Sequence, residues 1–328
     1  MKRSLIVAAL ATVAAGTSFA QSSVSIYGRL NDSVERQKTG DDSKSVLQNN
    51  ASRIGFKGVE DLGGGLKAGF QLEHGFNADT GTQSQTAFWA RQSEVFLQGG
   101  FGTLRLGRFT SEAYYATADY VSMHNHDTGT SSDAFYNYVS RDQNKVAYRT
   151  PEFIAGLSVE GAVSLNEAAT GPTDLERAHS YDFAANYNVG ALALGLGFAK
   201  NADDKQIGLR ALYTIGDFTF GGYYQRAELG TSVGLGTNDG KINVVRLSGM
   251  YAMGASEFHI NVGAAGKIDG IDGTDSKQFT LAYNYNLSKR TKVYAFATKV
   301  DNKANVGYMS GTDGADFSSL ALGIRHNF

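Results

Sequence analysis

The sequence predicts an all-β fold, a 16-stranded antiparallel transmembrane β-barrel. Segments of about ten residues alternate between apolar and polar side chains, as strands do when one face meets lipid and the other meets water. The chain has 40 Gly, two Pro and no Cys among 328 residues, a composition that suits many strands joined by tight turns. The connections also alternate between short and long, which is typical of barrels whose two ends differ.

The alternation is clear in the segments "ALALGLGFAK", "SKQFTLAYNYNLS", "LSVEGAVSL" and "YDFAANYNV". It also holds in the final segment, "SLALGIRHNF", in which Leu320, Leu322 and Ile324 lie on one face. Phe328 continues that apolar face, whereas Arg325 lies on the other. A soluble β-sandwich alternates too, but the strand length and the aromatic residues at the strand ends favour a barrel in a membrane.

The connections give the number of strands. Seven of them are short: "EDLGGG", "QGGFG", "TPEFIAG", "NVGA", "IGD", "MGAS" and "LSKRT". Between them we expect long polar loops, such as "KTGDDSKSVLQN", "NEAATGPTDLERAH" and "KIDGIDGTDSK". Seven short turns and two chain termini on the same side give sixteen strands. A closed barrel satisfies every backbone polar group in lipid, and sixteen strands leave a water-filled lumen.

The first twenty residues have the pattern of a signal peptide. A basic start at Lys2 and Arg3 precedes an apolar run, and Ser18 and Ala20 supply the small-x-small cleavage pattern. We therefore predict a signal peptide at residues 1–20 and a barrel at residues 21–328. Without the two basic residues of the signal peptide, 28 basic residues stand against 32 acidic ones, a net charge of −4. That charge gives no support to nucleic-acid binding.

Several motifs, in order along the chain, resemble those of the general porins of Gram-negative bacteria, particularly the β-proteobacterial branch. They are "SSVSIYGRLND" near residue 21, "SRIGFKGVEDLGGGLKAGFQLEHGF" at 52–76, "FGTLRLGRF" at 101–109, "TPEF" at 150–153, "LSKRTKVYAFATKVD" at 287–301 and the terminal "GIRHNF". The resemblance implies a passive diffusion channel for small hydrophilic solutes and ions in the outer membrane. It also implies a homotrimer, contact with outer-membrane lipid and lipopolysaccharide, no cofactor, and a role for Phe328 as the signal for membrane insertion.

Residues 110–143 do not alternate and form the longest connection. Their six aromatic residues are too many for a disordered segment, so we expect this loop to pack against the rest of the protein. By resemblance it is the third loop of porins, which folds into the barrel and narrows it. Asp119 and Asp127 are its best acidic candidates for the constriction.

The resemblance also matches Arg29, Arg53, Arg91 and Arg141 to the basic cluster on the porin wall. A transverse field between these bases and the acids of the third loop would orient dipolar solutes and set the ion preference.

The alternation assigns eleven basic residues to the polar face of the strands: Arg29, Arg53, Lys57, Arg91, Arg105, Arg141, Lys145, Arg149, Arg210, Arg246 and Arg325. Only Glu73, Glu160 and Asp182 are clear inward acids on strands, and the third loop adds Asp119, Asp127, Asp133 and Glu112 at most. The acidic surplus would then lie in outer loops such as "TGDD", "NADDK" and "DGIDGTD". A modest anion preference follows, because charges at a constriction are screened less than exposed ones.

Glu94 is predicted to face outward, because it follows Arg91 by three residues in an alternating segment. A carboxylate in lipid is unfavourable, so we expect Glu94 at the trimer interface, unless a bulge turns it inward.

Two rival functions remain open at this stage. A barrel enzyme, such as a lipase or protease, would need a nucleophile and a base that no motif supplies, so we expect no enzymatic activity. A surface adhesin or plugged barrel would not conduct. The "HNH" at 124–126 could bind a metal but has no adjacent carboxylate, and "DGIDGTDS" at 269–276 lacks the spacing of a calcium loop.

Overall fold

A computed structural model of the chain describes residues 23–118, 121, 123–124, 129–166, 178–230 and 239–328. These residues form 17 strand segments, one α-helix (α1, Glu112–Thr117) and one short 3-10 helix (Ile268–Gly270). The strands are β1 Ser23–Thr39, β2 Asp42–Asn49, β3 Arg53–Gly63, β4 Leu66–Gly75, β5 Gln92–Gly99, β6 Gly102–Arg108, β7 Lys145–Arg149, β8 Leu157–Ser164, β9 Ser180–Val189, β10 Leu192–Asn201, β11 Asp204–Ile215, β12 Phe218–Leu229, β13 Gly240–Met253, β14 Ser256–Ala265, β15 Ser276–Asn286, β16 Thr291–Asn302 and β17 Phe317–Asn327. The predicted signal peptide lies outside the described residues.

The segments form one closed antiparallel barrel of sixteen strands, as predicted. β2 and β3 both pair with β1, on either side of a break at residues 50–52, and are two parts of one barrel strand. Each strand pairs with the next along the chain, and β17 returns to pair with β1. Closure leaves no sheet edge, so the backbone N–H and C=O groups find partners within the barrel wall.

The faces predicted for the segments that form β15 and β17 are confirmed by the exposure of the side chains. On β17, Leu320, Leu322 and Ile324 are 64%, 70% and 52% exposed and face outward. On β15, Gln278 and Thr280 are buried on the lumen side. In the part of the chain that the structure describes, no helix is both long enough and apolar enough to span a bilayer.

The seven short turns are confirmed, but the "KTGDDSKSVLQN" connection, predicted to be long, and the "NADDK" outer loop are tight turns. The "KTGDDSKSVLQN" segment continues the ladder, because Thr39 pairs with Asp42 across a two-residue turn whose Gly40 has φ +56°. Asn201 pairs with Asp204 in the same way. The polar residues mislead here because a strand that projects beyond lipid has no need of an apolar face.

The carboxyl terminus closes the barrel. The amide of Gly28 donates to the carbonyl of Phe328, and the amide of Phe328 donates back to the carbonyl of Gly28, at 3.0 and 3.1 Å. A Cβ at position 28 would lie 2.3 Å from the Phe328 ring, so only glycine admits the ring there. Phe328 therefore contributes to closure of the barrel, and its role as the signal for membrane insertion stays a prediction.

Candidate pore constriction

The long connection between β6 and β7, residues 109–144, folds into the barrel, and we call it the inner loop. It begins with α1, whose first turn is capped by Ser111, since the side chain of Ser111 accepts from the amide of Ala113 at 3.1 Å. The helix lies against β9, β10 and β11. Glycines on the inward face of β10 make room for it: a Cβ at Gly195 would lie 1.7 Å from the carbonyl oxygen of Ala116.

Polar contacts hold the rest of the inner loop to the wall. The guanidinium of Arg246 on β13 donates to Asp133 at 2.7 Å, and both side chains are buried. Asp133 also accepts from the hydroxyl of Tyr223 on β12. This buried arginine offsets the burial of the carboxyl and holds the pKa of Asp133 below its usual range.

Amide and hydroxyl groups add further anchors. The amide of Asn137 donates to the side chain of Gln225 at 2.9 Å, and the hydroxyl of Thr130 donates to Glu35 at 2.6 Å. Glu35 is 1% exposed and also accepts from Ser33 and Ser319 at 2.7 and 2.8 Å. The inner loop is thus bonded to opposite parts of the barrel wall.

Aromatic packing explains why the tyrosine-rich segment lies inside the barrel. Tyr114 contacts Tyr136 and Tyr138 with ring centroids 5.2 and 5.6 Å apart. Phe135, 1% exposed, packs edge-on against Tyr308 of the connection between β16 and β17. The sequence prediction that this loop packs against the protein is confirmed.

One histidine of the inner loop is buried against β14, β15 and β16. The Nδ1 atom of His124 lies 2.9 Å from Oδ1 of Asn284, whose amide nitrogen donates to Glu257 at 2.8 Å. The ring of His124 also lies 5.4 Å from that of His259 and 5.7 Å from that of Tyr294. Burial lowers the pKa of His124 to about 3, and His259, Arg325 and Lys292 act in the same direction.

A band of basic residues follows the lumen wall from β16 to β5, and we call it the basic stripe. Its members are Lys292, Arg325, Arg29, Arg53 and Arg91, on or next to β16, β17, β1, β3 and β5. Lys292 pairs directly with Arg325, and Arg29 pairs directly with Arg53. Arg29 pairs with Asn327, which lies two residues from Arg325 on the same face of β17. Arg29 and Arg325 are therefore diagonal neighbours across the two strands.

Glu73 on β4 is the acid at one end of the stripe. Its carboxylate lies 2.6 Å from Nε of Arg91 and 3.8 Å from Nε of Arg53, and it accepts from the hydroxyl of Tyr27 at 2.9 Å. Two arginines thus share one carboxylate. At the other end of the stripe, Lys292 lies 3.5 Å from Glu257.

The wall formed by β5 to β9 has a different balance of basic and acidic side chains, and we call it the paired wall. Arg105 contacts Glu94 at 2.8 Å and Glu160 at 3.3 Å, and Arg149 contacts Glu160 at 2.9 Å. Arg149 also reaches Glu112 of α1 at 2.6 Å.

Lys145, on the same paired wall, also contacts carboxylates. Its ammonium lies 2.9 Å from Asp182 and 3.8 Å from Asp142. Arg105, Arg149 and Lys145 therefore each face at least one carboxylate. A recess of about 790 Å³ beside α1, lined in part by Glu112, Tyr115, Arg149 and Arg210, opens on the same side of the lumen.

Three of the four arginines predicted for the constriction come together. Arg141 does not join Arg29, Arg53 and Arg91. Its guanidinium donates to the carbonyls of Ser164 and Leu165, at 2.8 and 3.0 Å, at the end of β8. It lies in the inner loop rather than on a strand, so its direction could not be taken from alternation.

Glu94 faces the lumen, and the outward expectation is wrong. β5 begins at Gln92, so Arg91 belongs to the preceding loop and does not set the alternation. Gln92 donates to Glu94 at 2.6 Å, while Val95 is 52% exposed on the outer face. The buried partner of Glu94 is Arg105, and the argument for a place at a subunit interface no longer holds.

The count of three inward acids on strands is too low, because Glu35, Glu94 and Glu257 also face the lumen. The excess of bases is therefore local to the stripe rather than general. Lys292 and Glu257 were missed, although they share the parity of the inward residues Tyr294 and His259 on their strands. Asp119 and Asp127 lie outside the described residues.

The weaker metal signals find no support in the described geometry. His124 contacts an amide and aromatic rings, and His126 lies outside the described residues. Within the ranges that the structure describes, no three His, Asp or Glu residues are placed to hold a metal ion.

Comparison with known proteins agrees with this architecture. The family of Gram-negative porins matches residues 7–305. The outer membrane porin protein 32 of Delftia acidovorans is 33% identical, with both chains covered in full. The structure of an anion-selective porin from Comamonas acidovorans is 29% identical, with a TM-score of 0.80 over 94% of this chain and 100% of that one.

A more distant structure, the trimer form of OmpT of Vibrio cholerae, shares the fold. It is 15% identical with a TM-score of 0.66, and the match covers 94% of this chain and 99% of that one. The closed barrel, the inner loop within its lumen and the family match over most of the sequence lead to one conclusion: this chain belongs to the Gram-negative porins, and it forms a diffusion channel for small hydrophilic solutes and ions in the outer membrane.

Proposed function

We propose that the channel passes small anions in modest preference to cations. The observation that supports this proposal is the basic stripe, in which Lys292, Arg325, Arg29, Arg53 and Arg91 face the lumen beside two carboxylates, Glu73 and Glu257. The relative from Comamonas acidovorans is described as anion-selective, which agrees with the proposal.

The position of the basic stripe in the lumen explains why its bases outweigh the net charge of −4 of the chain without its signal peptide. Exposed charges on outer loops are screened within about 10 Å at 0.1 M salt, whereas charges along a narrow lumen are screened much less. On the paired wall, Arg105, Lys145 and Arg149 each have a carboxylate within 4 Å, so the field of each pair falls off quickly with distance. The stripe therefore supplies the potential that a passing ion meets.

The test is the reversal potential of single channels across a potassium chloride gradient. The native channel should prefer chloride, and the variant Arg29→Ser, Arg53→Ser, Arg91→Ser should lose that preference. A matched control removes three exposed bases outside the lumen, Lys289, Arg290 and Lys303, and should behave as native. Cation preference in the native channel, or an equal shift in the control, would contradict the proposal.

We propose further that the protein acts without chemical conversion of its solutes. The family match supports a channel, and a barrel enzyme would release product in proportion to time. Pure protein should therefore release no labelled fatty acid or peptide from lipid or protein substrates. A steady release that persists after repurification would show that the barrel has a catalytic centre.

Finally, we propose a homotrimer whose interface includes the outer face of β1 and β17. Asp32 lies on this face, directly opposite Ile324, with Val34 and Leu322 beside it around an apolar groove of about 490 Å³. A carboxylate in lipid is unfavourable, so burial against a second copy would relieve it. This residue replaces Glu94 as the interface candidate.

Crosslinking in mild detergent should yield trimers. A variant with Asp32→Arg should yield mainly monomers, because three copies of a bulkier base would then meet. The control is Lys303→Glu, which reverses an exposed loop charge. Monomers alone in the native sample would contradict the trimer.

A further inference from the structure

The recess beside α1, which we call the α1 recess, differs from the basic stripe because charges of both signs line it. Its volume of about 790 Å³ falls within the range of small-molecule sites in proteins. Glu112 supplies a negative charge to the lining, and Arg149 and Arg210 supply positive charges. A site of this kind selects solutes by how their charges are arranged, and net charge alone does not decide what fits.

The α1 recess lies between α1 and the short turns at one end of the barrel. Its lining includes Ser158, the second residue of β8, and Asn188, the last but one of β9. Ala193, the second residue of β10, pairs with Asn188, and its small side chain leaves space at the floor of the recess. Gly195, on the same face of β10, is where α1 lies against the strand. A solute in the lumen can therefore bind beside the helix.

Four polar side chains of the α1 recess form one hydrogen-bonded series. Arg149 donates to the carboxylate of Glu112 at 2.6 Å, and the amide nitrogen of Asn186 donates to the same carboxylate at 3.3 Å. Arg210 donates to the side-chain oxygen of Asn186 at 3.2 Å. A carboxylate can accept about four hydrogen bonds, and in the part of the chain that the structure describes Glu112 accepts two. Glu112 therefore keeps capacity for a further donor.

Glu112 and Arg149 are both accessible from the recess. Their side chains are 17% and 38% exposed. Arg149 is shared between two carboxylates, because it also contacts Glu160 at 2.9 Å. Burial raises the pKa of Glu112, and Arg149 acts in the opposite direction. A second positive charge in the recess would therefore stabilise the ionised form of Glu112.

The adjacent charges of Glu112 and Arg149 match those of an α-amino acid, whose ammonium and carboxylate groups are attached to the same carbon atom. Placed antiparallel to the ion pair, the ammonium group meets Glu112 and the carboxylate meets Arg149, and both new contacts are charge-assisted. A solute with two carboxylates would bring one of them against Glu112. A simple cation would lie next to Arg149 without a compensating negative charge. The zwitterion is the class of solute that satisfies both groups.

We propose that the α1 recess binds small α-amino acids in their zwitterionic form, with the ammonium group at Glu112 and the carboxylate at Arg149. Asn186, itself held by Arg210, positions the carboxylate of Glu112 for this contact. The proposal rests on the channel function, because the recess is reached through the lumen. It is separate from the ion preference proposed for the basic stripe, and either can fail without the other.

The experiment uses a single thiol in the recess, because the chain has no Cys of its own. The full chain with Ser158→Cys, in detergent at pH 7, reacts with a small neutral methanethiosulfonate, and mass spectrometry follows the rate. Alanine is compared with lactate, which has a hydroxyl in place of the ammonium group, and with alaninamide, which has an amide in place of the carboxylate. Alanine should halve the rate at a concentration about fivefold lower than either analogue, because each analogue lacks one charge contact.

Two further variants separate this site from the basic stripe and from general damage. Adding Glu112→Gln to Ser158→Cys should abolish the advantage of alanine and strengthen protection by lactate, a gain that misfolding cannot produce. Gln71→Cys, on the lumen face of β4 two residues from Glu73, places the thiol beside the stripe, where alanine should protect no better than lactate. Equal protection of Ser158→Cys by alanine and either analogue, or an unchanged ratio after Glu112→Gln, would overturn the proposal. A preference for alanine at Gln71→Cys as well would also overturn it.

Discussion

The two walls of the lumen use similar residues in different ways. On the paired wall, Arg105 and Arg149 each contact two carboxylates within 3.3 Å. On the basic stripe, Arg53 and Arg91 share Glu73 between them. Matched charges hold α1 and the wall together, whereas an excess of one sign leaves a potential in the pore. The same guanidinium group therefore supports the structure on one wall and is proposed to select ions on the other.

The largest expected effect comes from breaking the paired wall. Arg105→Met leaves Glu94, whose side chain is 5% exposed, without its base, whereas Glu160 keeps Arg149 as a partner. Uncompensated burial of such charges costs about 3–5 kcal/mol of unfolding free energy. The measurement is unfolding in denaturant at pH 7.

The matched change on the stripe is Arg53→Met. Its side chain is 19% exposed to the lumen and lies among like charges, so the loss should be about 1 kcal/mol or less. Equal losses for the two variants would show that the walls do not differ in this way.

The next effect is a pH dependence located where the inner loop meets β14 to β16. His124 has a folded-state pKa of about 3, below its ordinary value of 6.5, since it is buried among His259, Lys292 and Arg325. A base with a lowered pKa contributes stability that is present above pH 6.5 and is lost as the pH falls from 6.5 toward 3. The loss is about 1.4 kcal/mol per pH unit in that window.

The variant His124→Asn should therefore lose less stability than the native protein between pH 7 and pH 4.5, by about 2.5 kcal/mol. Denaturant unfolding at the two pH values measures this difference. His326→Asn, at an exposed position on β17, serves as the control and should follow the native protein. Parallel pH profiles for all three proteins would argue against a buried neutral His124.

A smaller expected effect tests how the contact with β10 holds α1 in place. Gly195→Ala places a Cβ against the carbonyl of Ala116, so the helix must shift toward the lumen. Overpacking of this kind costs about 1–3 kcal/mol, and the shift should lower the single-channel conductance. Gly161→Ala is the control, because a Cβ at that outward position meets no atom within 4 Å. Native conductance in Gly195→Ala would mean that the helix is not held by this contact.

The smallest expected effect comes from making the basic stripe more positive by one charge. Glu73→Gln removes the carboxylate that Arg53 and Arg91 share and keeps its size. One charge at a few ångströms in an aqueous lumen changes the energy of an ion by about 1 kcal/mol, so chloride preference should rise several-fold. Reversal potentials measure the change, and Glu152→Gln, on an exposed turn, is the control. A shift toward cations would contradict the placement of the stripe.

The amino-acid sequence by itself determined the barrel. Alternation fixes which residues face outward, as at Leu320 and Leu322, because the period of a strand is two and lipid requires an apolar face. The short turns fixed the number of strands, and the aromatic residues of the inner loop indicated that it packs inside. These properties depend on residues close together in the chain, so local pattern is sufficient for them.

Only the tertiary structure decided which charges meet. Arg91 and Arg141 both precede strands from loops, yet one reaches Glu73 and the other caps the end of β8. Glu94 turned inward because β5 begins one residue after Arg91. Such contacts join residues far apart in the chain, and their direction depends on where each strand begins and on the pairing register. One shift of register reverses a face, so an alternating pattern without the start of the strand cannot assign a charge to the lumen or to the lipid.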